Sequence, residues 1–436
     1  MVVPMRSTIA PLTDDYLPVP YWWDAAPARP ADVAAVEAHV EVAVVGGGLT
    51  GLAAARELAL AGRRVALLER DVVGHGASSR NGGMVHPGGK LDLASLLALP
   101  GGRRLWDETV AAFEGLDALI GELGIDCGWR RSGHLELAHH PRAALRLRQV
   151  AAVHRSIGEE ARFLDARAVR SEVGSTRFEG GLVVERSGAL DPGRLTAGMV
   201  AAAEAAGVSL HDLTPATALA RSGPGFVVHT PRGPLRARDV VVATDGTTDR
   251  ALVPWLGRRI LAVGSFLIAT EPLDPQQVTS VSPAGRMLFD TRNFLHYWRA
   301  SPDGRRVLFG GRTSFAPTTL AQARDRLYDA MVRIHPQLRG VAVARAWGGQ
   351  VGLTADRLPH VGRDPASGAV YAMGYCGTGV ALSTHFGRAV GRWLAGTGEL
   401  PAFAGRRWPA IPGPARVPAL LPAAGLWYQA RDALGR

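Results

Sequence analysis

Residues Val42 to Glu69 read VAVVGGGLTGLAAARELALAGRRVALLE: an apolar strand, a glycine-rich turn, an amphipathic helix and a second apolar strand ending in an acid. That order predicts a βαβ unit of the dinucleotide-binding kind. Gly46 permits the tight turn, Gly48 lets backbone approach a pyrophosphate, and Gly51 lets helix and strand pack closely. The helix amino terminus then faces the phosphates. Gly47 and Thr50 of the turn, and Arg70 beside the acid, are taken as contacts of the same ligand. Glu69 stands 18 residues after Gly51, near the spacing of a carboxylate that holds a ribose hydroxyl pair. A carboxylate there repels a ribose phosphate, which argues against NADP. A glycine-rich loop without a ligand is the bland reading of GxGxxG alone. Strand, helix and acid in register weigh against it.

From Gly74 to Lys90 the chain runs GHGASSRNGGMVHPGGK, small at nearly every position, so backbone can lie against a flat ligand and offer amide donors. With this segment the chain resembles the FAD-dependent amine and amino-acid oxidoreductases related to D-amino-acid oxidase and glycine oxidase. Within them it looks nearest to the gamma-glutamylputrescine oxidoreductase branch. In that family a GASxRNGG segment runs from pyrophosphate to flavin ring, which matches Gly76, Ala77, Ser78, Ser79, Arg80, Asn81, Gly82 and Gly83. The resemblance recurs in an aromatic arm (Tyr21, Trp22, Trp23), in Leu190, Asp191 and Pro192 before a helix, and in VVVATDG from Val240 to Gly246. It continues in DGRRVLFGGR from Asp303 to Arg312, AWGGQVGLTADRLPHVGR from Ala346 to Arg363, and GYCGTG from Gly374 to Gly379.

The resemblance implies an α/β fold, with a Rossmann-like FAD-binding domain interleaved with a substrate domain built on a mixed, largely antiparallel β-sheet. Residues 39–95, 185–262 and 345–400 are expected in the first, 96–184 and 263–344 in the second. An arm (1–38) and a carboxy-terminal strap (401–436), anchored by Trp408, Trp427 and Tyr428, complete the chain. Leu91 to Gly124 has helical periodicity, whereas Phe226–Thr230 and Arg306–Gly310 alternate like strands. Further FAD contacts implied are Ala216, Ala243, Thr244, Gly246, Gly349, Gly374, Gly377, Thr378, Gly379 and Val380. The helix after GYCGTG would aim its positive end at the flavin's pyrimidine carbonyls. Where the family commonly has a histidine, this chain has Thr378.

Composition agrees with a globular enzyme. The 436 residues suffice for two full cores, and 47% are hydrophobic against 20% charged. No apolar run reaches the roughly 18 residues of a membrane span. Asp14 and Asp15 interrupt the place where a signal peptide would need an apolar core, so a cytoplasmic location is expected. The net charge of +10 comes from scattered arginines rather than a basic run, which argues against nucleic acid and for a generally basic surface. Two cysteines, Cys127 and Cys376, make no disulfide framework. His75, His86 and His360 lie in or near the motifs without metal-ligand spacing, so no metal is expected.

FAD is expected to bind noncovalently: Arg80 stands where some relatives carry the linking histidine, and Cys376 reads as a small buried residue. Lys90 is the only lysine. In relatives a lysine over the flavin assists reaction with dioxygen, and Lys90 is a candidate for that role. An exposed lysine left by drift is the equal alternative. The stretch Phe289 to Arg306 offers Asp290, Arg292, His296, Tyr297 and Arg299. Alternation puts Tyr297 and Arg299 on one face and His296 and Trp298 on the other, and Tyr297 is the candidate substrate contact. The expected reaction is oxidation of a carbon–nitrogen bond in a small amine or amino acid, with dioxygen as acceptor and hydrogen peroxide as product. The alternatives are a dehydrogenase passing electrons to a quinone or carrier, and a flavin-binding protein without turnover.

Overall fold

The computed structural model describes residues 9–27, 31, 35–311 and 318–411, with 425, 427, 428, 431, 432, 434 and 435 near the carboxy terminus. The strand His39–Val45 lies at the centre of the first sheet. It pairs in parallel with Val65–Leu68 on one side and Gly233–Val242 on the other, and Val65–Leu68 pairs in parallel with Ser209–His211. Such strands are apolar on both faces because helices or loops cover both. Val42 and Val44 enter one core with Leu67 and Val241, while Ala43 and Val45 enter another with Leu68 and Val242. Gly233–Val242 also pairs in parallel with Val370–Met373 and continues through the antiparallel strands Gly225–Thr230 and Ala218–Ser222.

Helix Leu49–Leu60 crosses helix Gly379–Ala395 at close range. A β-carbon on Gly387 would lie 2.3 Å from the carbonyl oxygen of Thr50, and one on Gly391 would lie 2.7 Å from that of Ala54. The expected helical stretch from Leu91 forms two helices, Leu93–Leu97 and Gly102–Leu123. Asp92 caps the first by accepting from Ser95 N at 2.9 Å, and Gly101 turns between them at φ +71°. Helix Gly102–Leu123 shares its core with the Rossmann-like sheet through Phe113, Leu116 and Ile120.

The second sheet has nine strands in the order Leu12–Leu17, Val343–Leu353, Leu261–Thr270, Val307–Gly311, His296–Ala300, Met287–Asp290, His134–Leu137, Gly180–Val184, Ala161–Asp165. The first pair and the Met287–Asp290 with His134–Leu137 pair are parallel, and the other pairings are antiparallel. One face is apolar and packs on helix Leu320–Ile334, through Ile268, Leu288, Trp298 and Phe309 against Leu327 and Met331. The expected division at residue 345 falls inside the strand Val343–Leu353, which belongs to this sheet. In the tail, Trp408 is buried and stacks on His360 at 4.6 Å, while Trp427 is 55% exposed. Residues 412–424 of the expected strap lie outside the described residues, as does Arg312.

Candidate active site

The glycine turn is built as its residue types require. Gly46 takes φ +108°, and a β-carbon there would strike the carbonyl oxygen of Ala243 at 2.7 Å. One on Gly51 would lie 2.0 Å from the oxygen of Gly46. Glu69 accepts from Gly47 N (2.7 Å) and Asp71 N (3.0 Å). Burial raises its pKa, while those two backbone donors oppose the shift. The carboxylate is thus fixed at the edge of the turn. Thr214 N donates to the oxygen of Glu69 at 2.7 Å, which brings Ala216 to the same end. Arg70 is exposed and pairs with Asp71.

Ser78 joins turn to loop, its hydroxyl accepting from Leu49 N at 3.0 Å. The rest of the Gly76–Gly83 loop is held by three indoles that reach it from far along the chain. Trp22 donates to Asn81 O (2.8 Å), Trp23 to Ser79 Oγ (3.2 Å) and Trp347 to Arg80 O (2.8 Å). Arg80 lies over the ring of Trp23 at 4.5 Å, with Nε on His75 O (2.8 Å) and Nη1 on Gly348 O (3.3 Å). Asn81 spends its amide on Ala77 O and Ser78 O, and accepts from Gly83 N at 2.8 Å. The polar side chains of the loop therefore fix its shape and leave backbone to face a ligand. Trp347 is both buried and a loop anchor.

Asp245 supplies a second clasp that sequence reading missed. It sits at φ +40°, and its half-buried carboxylate accepts from Gly374 N (2.7 Å) and Gly352 N (3.4 Å). One side chain thereby ties the end of the VVVATDG strand to the glycine-rich closing turn and to the strand Val343–Leu353. The Asp-Gly pair was the available signal, since aspartate tolerates the left-handed region better than most residues. Gly246 sits in the same corner, where a β-carbon would lie 2.9 Å from Gly352 N, while Ala243 N donates to Val45 O. Gly374 and Gly377 have φ of +85° and +97°. Thr378 precedes the helix that opens with Gly379 and Val380. Its hydroxyl donates back to Tyr375 O at 2.9 Å, and no side chain caps the helix's first amides.

The nine-stranded sheet turns its other face to this loop. Pairing sets Glu136, Phe289, Tyr297, Gly310, Leu267 and Trp347 in one row across six strands. A β-carbon on Gly82 would touch the Tyr297 ring at 2.9 Å, and one on Gly349 would lie 3.5 Å from Arg80 Cβ. Tyr297 is on the loop side, as alternation predicts, half-buried, with its hydroxyl 3.3 Å from Ser265 Oγ and its pKa pushed up by burial to about 12. Arg299 shares that face. It is buried and its Nη1 donates to Gly83 O and Leu190 O, both at 2.8 Å, so it braces the loop. His296 and Asp290 pair on the opposite side at 3.0 Å, away from the loop.

Lys90 is exposed, beyond Gly88 and Gly89, with its charge in reach of both Cys376 and Glu136. A β-carbon on Gly89 would lie 4.0 Å from Thr378 Oγ1, so Lys90 follows directly on contact with the closing turn. Glu136 was not singled out from the sequence. It is the lone acid in the strand HLEL, at a position where alternation turns away from the apolar core. Burial lifts its pKa to about 7, with Arg146 and Lys90 opposing the shift. His86 and His134 flank Phe289, at 6.4 and 5.1 Å between rings, and burial lowers both imidazoles below their usual range.

These residues fit FAD held without a covalent link. Glu69 and the turn suit ribose and pyrophosphate, the braced loop offers backbone to a flat ring, and the uncapped helix start offers donors to ring carbonyls. Arg80, where a linking histidine would stand, is committed to His75 O and Gly348 O. Cys376 is buried against Thr354, with its thiol pKa raised by desolvation, which disfavours the thiolate a flavin bond needs. Among the described residues, no group of three or more His, Cys, Asp or Glu could hold a metal ion, and no helix is long and apolar enough to cross a membrane.

Comparison with known proteins agrees with this construction. A probable oxidoreductase OrdL of Haemophilus influenzae is 32% identical over 385 residues, covering 86% of this chain and 88% of the relative. Gamma-glutamylputrescine oxidoreductase of Escherichia coli is 31% identical over 401 residues, covering 91% and 93%. The crystal structure of glycine oxidase from Geobacillus kaustophilus matches with a TM-score of 0.71 at 25% identity, over 84% of this chain and 97% of that one. The model of the FAD dependent oxidoreductase family matches residues 41–393, a span that contains the glycine turn, the braced loop and the closing GYCGTG turn. The chain belongs to the FAD dependent oxidoreductase family.

Proposed function

We propose that the protein oxidises a carbon–nitrogen bond in a small amine or amino acid and passes the electrons to dioxygen, forming hydrogen peroxide. The observation that carries this reading is the meeting of the braced loop, beside the residues suited to FAD, with the sheet row that holds Tyr297 and Glu136. Bound there, FAD supplies a hydride acceptor; the resulting imine hydrolyses to a carbonyl compound plus ammonia or an amine. The protein's own contribution is placement. Tyr297, neutral at working pH, stands against Gly82 of the loop and presents a hydroxyl. Arg299 and the three indoles keep the loop from moving as substrate enters. An amine that binds neutral requires no strong base. Lys90, at the edge of the closing turn, is proposed to stabilise negative charge developing on dioxygen.

The test is peroxide release by the purified protein against a panel of polyamines, gamma-glutamyl amines, N-methyl amino acids and D- and L-amino acids, with an anaerobic flavin-bleaching control. Peroxide at a rate near substrate turnover is expected with one class. Bleaching without peroxide would instead establish a dehydrogenase with a quinone or carrier as acceptor. Lys90→Met is expected to slow flavin reoxidation about tenfold or more, since a charge aimed at a developing anion is worth at least that much; an unchanged rate removes Lys90 from the oxygen reaction.

A further inference from the structure

The charges on the loop-facing side of the substrate sheet are unequally committed. Arg80 donates through Nε and Nη1 to backbone carbonyls, and so does Arg299. His134 bonds Ser187 Oγ at 3.0 Å, and His86 bonds Pro87 O at 2.7 Å; both imidazoles are held neutral by burial. Glu136 differs. Its half-buried carboxyl lies beside the rings of the Phe289 row and accepts no hydrogen bond among the described residues. A carboxylate in such a place costs free energy unless something pairs with it. The charged groups that act on it are Arg146, Lys90, Asp92 and Asp290, and Asp290 already serves His296 and Arg292 on the far face.

Its position along the row adds a distance. Tyr297 stands over Gly82 of the loop, whereas Glu136 is two strands farther across the sheet, a lateral step of about 10 Å at ordinary strand spacing. A substrate reacting above the loop reaches Glu136 only with an extended part of itself. We propose that Glu136 seats a positively charged group of the substrate remote from the carbon–nitrogen bond being oxidised, so that the preferred class is a diamine or an amine carrying a second ammonium. This rests on the amine-oxidation reading above. Phe289, between Glu136 and Tyr297, gives the connecting methylenes an apolar floor.

The test compares the FAD-loaded enzyme with its Glu136→Gln and Glu136→Asp variants. Anaerobic calorimetric titration with 1,6-diaminohexane and 1-aminohexane is the first readout, and aerobic turnover of the same pair is the second. The parent is expected to bind the diamine about tenfold or more tighter than the monoamine, as a charge-assisted contact permits. Glu136→Gln should abolish that difference by weakening the diamine alone, and Glu136→Asp should restore part of it. In turnover the loss should fall on KM for the diamine, with kcat retained. Equal binding of the two amines by the parent, including no binding of either, or equal weakening of both in Glu136→Gln, overturns the proposal. A binding preference that depends on Glu136 without oxidation of either amine sustains the site and refutes the reading of the reaction.

Discussion

A half-buried carboxylate that accepts backbone amides from two other segments turns a single residue into a structural joint, and Asp245 is such a joint. Its left-handed backbone is sparsely populated by non-glycine residues, so the surrounding structure must hold it there. Burial raises its pKa, and the amides of Gly374, Gly246 and Gly352 oppose that shift by stabilising the charged form. Asp245→Ala would leave the donors of Gly374 and Gly352 without their acceptor. The expected cost is about 2–4 kcal/mol in urea unfolding, with most of the flavin lost on gel filtration. Asp245→Asn keeps an acceptor oxygen and tolerates the same backbone, so it should retain more flavin and lose less stability. Equal losses in the two variants would show that the carboxylate's charge, rather than its acceptor geometry, does the holding. Glu136 is the contrasting residue: a carboxyl of similar burial without amide donors, whose ionised form is costly to the fold.

At the level of elements, the crossing of helices Leu49–Leu60 and Gly379–Ala395 sets how the glycine turn faces the closing turn. Thr50 Oγ1 and Tyr375 OH lie 2.8 Å apart across the junction, and the approach depends on Gly387 having no side chain. Gly387→Val would drive a branched side chain into the Thr50 carbonyl and Ala53, forcing the helices apart. The expected result is destabilisation of about 3 kcal/mol and impaired FAD retention. Gly396→Ala, at the carboxy end of the same helix with nothing near its β-carbon, should cost about 1 kcal/mol from its left-handed backbone alone. A thermal melt that ranks the two the other way would contradict the close-crossing argument. These elements were legible in the sequence because their signals are local: glycine spacing, period 3.6 and apolar strands buried on both faces. The face carrying Tyr297 and Arg299 was legible too, through alternation. The bracing role of Arg299, the commitments of Arg80 and the exposure of Trp427 were not. Arg80 reaches Gly348 268 residues away and Arg299 reaches Leu190 109 residues away, and the exposure of Trp427 is likewise set by tertiary placement, for which no local period exists. Glu136 escaped notice for the same reason: a single acid in a short strand gains meaning only when pairing places it in a row with Phe289 and Tyr297.

Across the whole molecule, the arm before the first Rossmann strand and a strand in the last quarter of the chain converge on one loop. Leu12–Leu17 forms the edge strand beside Val343–Leu353, and Trp22 and Trp23 follow it onto the loop that Trp347 reaches from that neighbouring strand. The loop in turn touches both sheets, through Ser78 at the glycine turn and through Gly82 and Gly83 at the substrate face. FAD bound along it would engage groups from both halves at once, so binding and stability are linked: at about 100 times its Kd a ligand adds about 2.7 kcal/mol to the folded state. Removing FAD is therefore expected to lower the melting temperature by about 5 °C. Added FAD should restore it, whereas NADP should not, because Glu69 opposes a ribose phosphate. The double variant Trp22→Phe, Trp23→Phe keeps much of the ring packing and deletes the two indole donors to the loop. If the indoles act mainly by holding the loop in its binding shape, the apoprotein should melt within about 2 °C of the parent apoprotein, while FAD affinity falls about tenfold, the equivalent of one or two lost hydrogen bonds. A large drop in the apoprotein's melting temperature with unchanged FAD affinity would make the indoles core packing instead, and would return the shape of the loop to the glycines alone.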